Sequence, residues 1–152
     1  MSQPTKETFL KDVESHRMTV LSDSGVNRSL KFENPNCSNL HFFITTWPGH
    51  LCISGDMGTF VFARIHDMFL FFDGKEPQAN MDYWSEKLIA QEASPITQSL
   101  TERYIWCCKA IVWAIQQFKD AKTSDITDAF DEERMDIIGP NGNTGEHYEV
   151  LK

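Results

Sequence analysis

Two ionisable side chains, His50 and Asp56, stand beside turns in residues 42–62, a stretch that is otherwise largely apolar. Pro48-Gly49 and the two glycines of residues 55–58 are typical of tight chain reversals. Short β-prone runs flank both turns, so the stretch predicts an antiparallel meander. If the two turns lie on the same edge of the sheet, the imidazole and the carboxylate could converge as an acid–base pair or bind a ligand.

Further side chains near these turns extend the hypothesis to a pocket for a nucleotide or a signalling molecule. The bland alternative is that Asp56 accepts hydrogen bonds within its own turn and that His50 is a structural strand residue. The Gly-rich turn lacks the lysine and the following helix of a phosphate-binding loop. The candidate ligand-binding residues are Trp47, His50, Asp56, Thr59 and Arg64.

The pair His66-Asp67 is similar to the metal-binding His-Asp pair of phosphohydrolases. Such sites need further His and Asp residues on surrounding helices, and the predicted helices of this chain contain no histidine. We therefore expect Asp67 to cap a short helix over Met68–Asp73 instead. No metal and no cofactor are expected.

Length and charge narrow the classes of function. With 152 residues and 41% hydrophobic content, the chain predicts one globular α+β domain over residues 1–138, followed by a turn-rich tail over residues 139–152. The net charge of −8 argues against nonspecific binding to nucleic acid or to an anionic membrane. We expect neither direct nucleic-acid binding nor membrane association.

The cysteines and the apolar runs indicate the cellular compartment in which the protein is expected. The N-terminus is polar, no Cys-x-x-Cys occurs, and the longest apolar run, residues 105–115, is interrupted by Lys109 and too short to span a bilayer. The sequence therefore predicts a cytoplasmic protein with free thiols. The four cysteines are Cys37, Cys52, Cys107 and Cys108.

Periodicity predicts the fold class. Short alternating runs, mostly within residues 17–65, indicate an antiparallel sheet of four to six strands, packed against helices from the C-terminal half. The strongest helical signal opens with a possible capping box at Ser99–Glu102, and its wide apolar surface should pack on the sheet. Helices are predicted over Thr5–Ser15, Met68–Asp73, from Asn80 to about Gln91, from Ser99 to about Lys122, and around Asp125–Asp136. A short edge strand is possible at Tyr148–Leu151.

Acidic residues concentrate late in the chain. Residues 1–76 hold seven basic and nine acidic side chains, whereas residues 77–152 hold seven and thirteen. One interpretation is that these acidic residues form the solvated face of a surface helix. The functional one is a row of carboxylates that presents phosphate-like charge to a basic, nucleic-acid-binding partner protein. The candidate partner-binding residues are Asp125, Asp128, Asp131, Glu132, Glu133 and Asp136.

The motif Trp-Pro-Gly-His-Leu-x-Ile-Ser-Gly-Asp-Met-Gly-Thr, residues 47–59, resembles a family of small proteins encoded by bacteriophages and prophages. Shorter segments carry the same resemblance, which covers roughly residues 40–118. These segments are Asp67-Met-Phe, Phe71-Phe72, Tyr83-Trp-Ser-Glu-Lys-Leu88, Trp106-Cys-Cys, Ile111-Val-Trp and Ile115-Gln-Gln117. The resemblance implies a phage-encoded protein in the cytoplasm of a bacterial host, and it carries over no catalytic residue.

Together, the resemblance and the acidic surface predict a binding protein rather than an enzyme. It would be an accessory protein that binds and inhibits a host nucleic-acid-handling or defence complex, of the anti-CRISPR or anti-restriction type, through contact with a basic surface. The alternative is a protein that binds or hydrolyses a nucleotide or signalling molecule at the His50 and Asp56 turns. A structural or regulatory phage protein is a third possibility, and the oligomeric state is left open.

Overall fold

The computed structural model describes the backbone of residues 4–91 and 100–137 and the side chains of residues 4–91 and 101–124. The chain divides into two compact units, Met1–Gln117 and Phe118–Lys152, and each is described by itself. Within the described residues the elements are α1 (Lys6–Asp12), β1 (Arg17–Ser24), β2 (Asn27–Asn34), β3 (Cys37–Trp47), β4 (His50–Gly55), β5 (Phe60–Ala63), α2 (Met68–Phe72), α3 (Pro77–Ser85), β6 (Leu88–Gln91) and α4 (Leu100–Ile137).

The six strands form one sheet in chain order, β1-β2-β3-β4-β5-β6, and every neighbouring pair is antiparallel. Short connections explain this simple topology, because consecutive antiparallel strands need only a turn between them. The predicted α+β class and the antiparallel sheet are confirmed. Five of the six strands lie within residues 17–65, as predicted.

One face of the sheet forms the core. Side chains alternate between the two faces of a strand, so every second residue of the central strands points toward the helices. Trp106 of α4 lies edge-on to Phe42, with 5.7 Å between ring centroids, which confirms that this helix packs on the sheet. The buried apolar residues of this sheet face are Leu30, Phe32, Phe42, Ile44, Leu51, Ile53, Phe60 and Phe62.

Two predicted helix starts are confirmed by their caps. The Thr5 side chain accepts a hydrogen bond from the Thr8 N–H at the start of α1. The Asp67 carboxylate accepts one from the Phe69 N–H, 3.0 Å away, at the start of α2. Each cap satisfies an N–H that has no partner inside the helix.

The predicted helix over Asn80–Gln91 is wrong at both ends. Helix α3 begins earlier, at Pro77, because Glu76 caps it and proline suits the first helical position. It ends at Ser85, and the chain then forms β6, which pairs with β5. The apolar spacing within residues 81–88 fits a helix, but hydrogen bonding to the exposed edge of β5 decides the conformation of its last part.

The two helices predicted in the C-terminal third are one, since α4 is continuous from Leu100 to Ile137. Ser99 of the predicted capping box, the predicted tail over residues 139–152 and the possible edge strand at Tyr148–Leu151 lie outside the described residues. The domain boundary placed at residue 138 stays a prediction.

Candidate functional site

The two turns of the central meander lie at opposite ends of β4. His50 is the first residue of this strand and pairs with Trp47, whereas Gly55, just before Asp56, is the last and pairs with Phe42. At about 3.3 Å per residue, the backbones of His50 and Asp56 are separated by roughly 20 Å. The condition for convergence of the imidazole and the carboxylate, that both turns lie on the same edge, is therefore not met, and the two groups do not form an acid–base pair.

The Asp56 side chain stabilises the first part of β3 through hydrogen bonding. Its Oδ2 accepts a hydrogen bond from the Leu40 N–H at 2.7 Å, and its Oδ1 lies 3.3 Å from Nδ1 of His41. Leu40 has a φ of +61°, a left-handed conformation that costs a non-glycine residue energy. The carboxylate thus stabilises a strained residue of the neighbouring strand, rather than its own turn as the plain interpretation expected.

Close approach of the neighbouring strand excludes a side chain at Gly55, whereas a tight contact with Arg103 and a φ of +114° together favour glycine at position 58. A Cβ on Gly55 would lie 2.2 Å from the His41 carbonyl oxygen, and a Cβ on Gly58 would lie 3.1 Å from Nη1 of Arg103. Thr59 lies between Gly58 and β5, so it shares this end of the sheet with Asp56. The Gly-rich loop packs tightly against the protein, and a strand follows it, unlike a phosphate-binding loop.

Trp47, which is exposed, and His50, which is half-buried, form an aromatic pair at the other end of β4. Their rings stack at a centroid distance of 5.0 Å and an interplanar angle of 7°, and Trp47 is 37% exposed. The His50 Nδ1–H donates to the Pro48 carbonyl at 2.9 Å, which fixes the ring. Arg64 belongs to the same end, because its N–H donates to the Gly49 carbonyl. Three of the five predicted ligand-binding residues therefore share one end of the sheet.

Asp67, the expected helix cap, also forms an ion pair with Arg28 that the sequence analysis did not predict. Arg28 donates two parallel hydrogen bonds to Asp67, Nη1 to Oδ1 and Nη2 to Oδ2, each at 3.0 Å. The guanidinium also covers the ring of Phe69 at 4.0 Å. Within the part of the chain that the structure describes, no group of three or more His, Cys, Asp or Glu side chains could hold a metal ion.

The charge state of Asp67 follows from these contacts. Burial by itself raises the pKa of the carboxyl, but the hydrogen bonds from Arg28 and from the Phe69 N–H, with the charges of Arg28 and His66, outweigh it. The pKa of Asp67 is therefore below its ordinary value. Sequence reasoning missed Arg28, because 39 residues separate it from its partner and no local pattern links them.

Two buried thiols have the properties of core residues rather than nucleophiles. Burial and the neighbouring Cys108 raise the pKa of Cys107 well above its ordinary value, although the nearby Arg103 charge partly opposes this. Burial raises the pKa of Cys108 to about 12. Both thiols stay protonated at neutral pH, so they are poor nucleophiles. All four cysteines are free, as predicted.

Arg103 is a buried charge that the sequence analysis overlooked. It is 2% exposed, and its Nε and Nη2 have no hydrogen-bond partner within the described residues. Its Nη1 lies over Gly58, so the side chain reaches the loop that contains Asp56. The same helix face carries Cys107, one turn later, whose Sγ contacts the Met57 carbonyl. Arg103 lies two residues before the apolar run of residues 105–115, so no local pattern in the sequence marks it as a buried charge.

The acidic residues predicted to bind a partner belong to α4, but their side chains lie outside the described set. The backbone there is helical, which fixes their register. Successive residues of an α-helix are rotated by about 100°, so positions 125, 128, 132 and 136 share one stripe about 80° wide. Positions 131 and 133 lie off this stripe.

No helix among the described residues combines the length and the apolar character needed to cross a membrane. We compared the chain with protein-family models, with curated proteins and with solved structures. None of the three comparisons found a match.

Proposed function

We propose that this protein is a non-enzymatic accessory protein of a bacteriophage or prophage, acting in the host cytoplasm. In this proposal it binds and inhibits a host nucleic-acid-handling or defence complex, of the anti-CRISPR or anti-restriction type. Its partner is a host protein whose basic surface otherwise binds nucleic acid. The resemblance of residues 47–59 to phage-encoded proteins supplies the context for this proposal.

The observation that supports the proposal most is the helical register of the acidic segment. Helix α4 is continuous through Ile137, so Asp125, Asp128, Glu132 and Asp136 occupy one stripe of a single helix. A linear series of carboxylates resembles the charge pattern of a nucleic-acid backbone, and complementary charge accelerates association with a basic surface. The partly exposed pair Trp47 and His50 provides a second contact area, since aromatic residues are enriched at protein interfaces.

The separation of His50 from Asp56 weakens the alternative function. A site that binds or hydrolyses a nucleotide or signalling molecule needs both turns at one place, and they lie at opposite ends of β4. A thermal-shift screen against nucleotides would detect such a ligand, because binding to the folded state raises its stability. We expect no rise in melting temperature that depends on both His50 and Asp56.

The proposal can be tested with two matched charge variants. The stripe variant carries Asp125→Asn, Asp128→Asn, Glu132→Gln and Asp136→Asn. The control variant carries Glu7→Gln, Glu14→Gln, Asp82→Asn and Glu86→Gln, all at exposed positions. Both lose four acidic charges and change the net charge from −8 to −4. A difference between them therefore reports the location of the charge rather than its total.

Each protein is expressed in bacteria that carry an active CRISPR or restriction system, and phage plating efficiency is measured. Affinity capture from the same cells at low salt then measures the binding of the system's subunits. We expect the unmodified chain and the control variant to restore plating and to capture one basic subunit, and the stripe variant to bind about ten-fold more weakly or worse. Equal activity of the two variants, or no inhibition of any such system, would contradict the proposal.

A further inference from the structure

A groove with a volume of about 330 Å³ opens beside α1, the start of α3 and the part of α4 before residue 117. This volume is at the lower end of the range for small-molecule sites in proteins. The walls are mainly apolar. The apolar lining residues are Phe9, Leu10, Pro77, Val112 and Trp113.

The floor of the groove is firmly packed. Phe9 is 3% exposed and lies edge-on to Trp106 and Trp113, at centroid distances of 5.1 and 6.2 Å. Leu10, in contrast, is 42% exposed at the groove. An apolar molecule in the groove would remove Leu10 and the half-buried Trp113 from water, and this burial favours binding.

The polar lining is strongly biased toward positive charge. Three lysines, Lys6, Lys75 and Lys109, line the groove, whereas Glu76 is the only acidic lining residue among the described residues. The Glu76 carboxylate already accepts a hydrogen bond from the Gln78 N–H, as the cap of α3. No ion pair within 4.0 Å joins these lysines to a carboxylate among the described residues. The groove thus has a surplus of two positive charges in a chain whose net charge is −8.

We propose that this groove binds a medium-length acyl carboxylate, with the acyl chain against the apolar wall and the carboxylate among the lysines. The apolar lining matches the chain, and the positive surplus matches one anionic head group. Lysine suits this role, because its flexible stem can bring a compact charge to a carboxylate whose position varies. The site involves neither the acidic stripe of α4 nor the Trp47–His50 pair, so it stands independently of the proposed function.

The test is calorimetric titration of the full-length protein with decanoate, with intrinsic tryptophan fluorescence as a second readout because Trp113 lines the groove. The groove variant carries Lys6→Gln, Lys75→Gln and Lys109→Gln. A matched control carries Lys11→Gln, Arg17→Gln and Arg64→Gln, three exposed cations that do not line the groove. Both variants lose three positive charges, so general electrostatic attraction of the anion falls equally in the two.

We expect the unmodified protein to bind decanoate saturably, with one site per chain. The affinity should be about ten-fold lower in the groove variant and within about two-fold of the unmodified value in the control variant. Val112→Trp, which fills the groove without changing charge, should also abolish binding and the accompanying fluorescence change. Circular dichroism and the melting temperature establish that each variant is folded.

Four outcomes would overturn the proposal, three with decanoate and one with decanol. The first is the absence of saturable binding at about 1 mM decanoate, which is the weak limit for a site of this size. The second is an equal loss of affinity in the groove and control variants, which would reveal a general charge effect. The third is full retention of binding by folded Val112→Trp, which would place the ligand elsewhere. Decanol serves as the uncharged probe, and binding as tight as that of decanoate would exclude the role of the lysines.

Discussion

The two turns that flank β4 look alike in the sequence but differ in what surrounds them. Gly49, between Trp47 and β4, has a φ of +81° and open space around its missing side chain. Gly55, at the other end of β4, faces the His41 carbonyl so closely that no Cβ fits. The first turn is exposed and displays an aromatic pair, and the second is packed against β3 and α4.

This difference separates a surface available for contact from a loop required by the fold. At the packed end, Asp56 and the glycines are needed by neighbouring backbone and by Arg103, so their identity is explained without a ligand. At the exposed end, Trp47 and His50 stack on each other and His50 donates to the Pro48 carbonyl, and these contacts are local, so the fold requires less of the two residues. A polar residue in a glycine-rich turn is therefore a weak indicator of a binding site when its partners lie on other strands.

The largest effect is expected from Gly55→Ala. The new Cβ would lie 2.2 Å from the His41 carbonyl oxygen, and the backbone of two strands must move to accept it. We expect the free energy of unfolding to fall by about 3 kcal/mol or more, measured by urea denaturation.

The matched control is Gly49→Ala, where the Cβ meets no atom within 4 Å and only the positive φ is unfavourable. This substitution should cost about 1 kcal/mol. Equal losses in the two variants would show that the packed and the exposed turn do not differ as the structure indicates.

The second largest loss of stability is expected when the ion pair between Arg28 and Asp67 is broken. Asn can still cap α2, so Asp67→Asn removes the charge that pairs with Arg28 but keeps the cap. Arg28 is only 10% exposed, and its guanidinium would lose an ionic partner. We expect a loss of about 2 kcal/mol at pH 7. Glu86→Gln, at an exposed position, is the charge control and should change stability by less than about 0.5 kcal/mol.

The same variant has a pH dependence with a defined sign. Folding lowers the pKa of Asp67 below its value in the unfolded chain, which is about 3.9. The contribution of the ionised carboxylate to the free energy of unfolding is therefore fully present above this unfolded value. It is lost as the pH falls through the lower pKa of the folded protein. The stability gap between the unmodified protein and Asp67→Asn should be constant from about pH 7 to 5 and shrink below about pH 4. A gap that grows on acidification would refute this assignment.

The smallest losses of stability are expected from replacing Asp56 and His50, the two polar residues that the sequence analysis considered as a pair. Asp56→Ala leaves the Leu40 N–H without its acceptor, and we expect a loss of about 1 kcal/mol, because the carboxylate is partly exposed. His50→Ala removes one exposed stacking contact and should cost about 0.5 kcal/mol or less. The double variant should show additive losses within about 0.3 kcal/mol, since the sites are far apart. A larger coupling energy would indicate that the two residues communicate.

Local patterns were sufficient for much of the fold. Alternation and turn residues predicted the meander over residues 42–65, since side-chain period and glycine placement are properties of neighbouring residues. The caps at Thr5 and Asp67 were predictable for the same reason, because a cap acts within three residues. Strand β6 was missed, because its conformation depends on hydrogen bonds to β5, whose paired residues lie 26 to 31 positions earlier in the chain.

The candidate sites, even more than strand β6, depend on contacts between residues that are distant in the sequence. The sequence by itself determined the antiparallel sheet, the residue types at its turns, the negative net charge and the wide apolar surface of α4. Only the tertiary structure decided that His50 and Asp56 lie apart, that Arg28 pairs with Asp67, and that three lysines line one apolar groove. The physical reason is that hydrophobic periodicity and turn geometry act over a few residues, whereas the position of a charge in space depends on strand length, register and packing between distant segments.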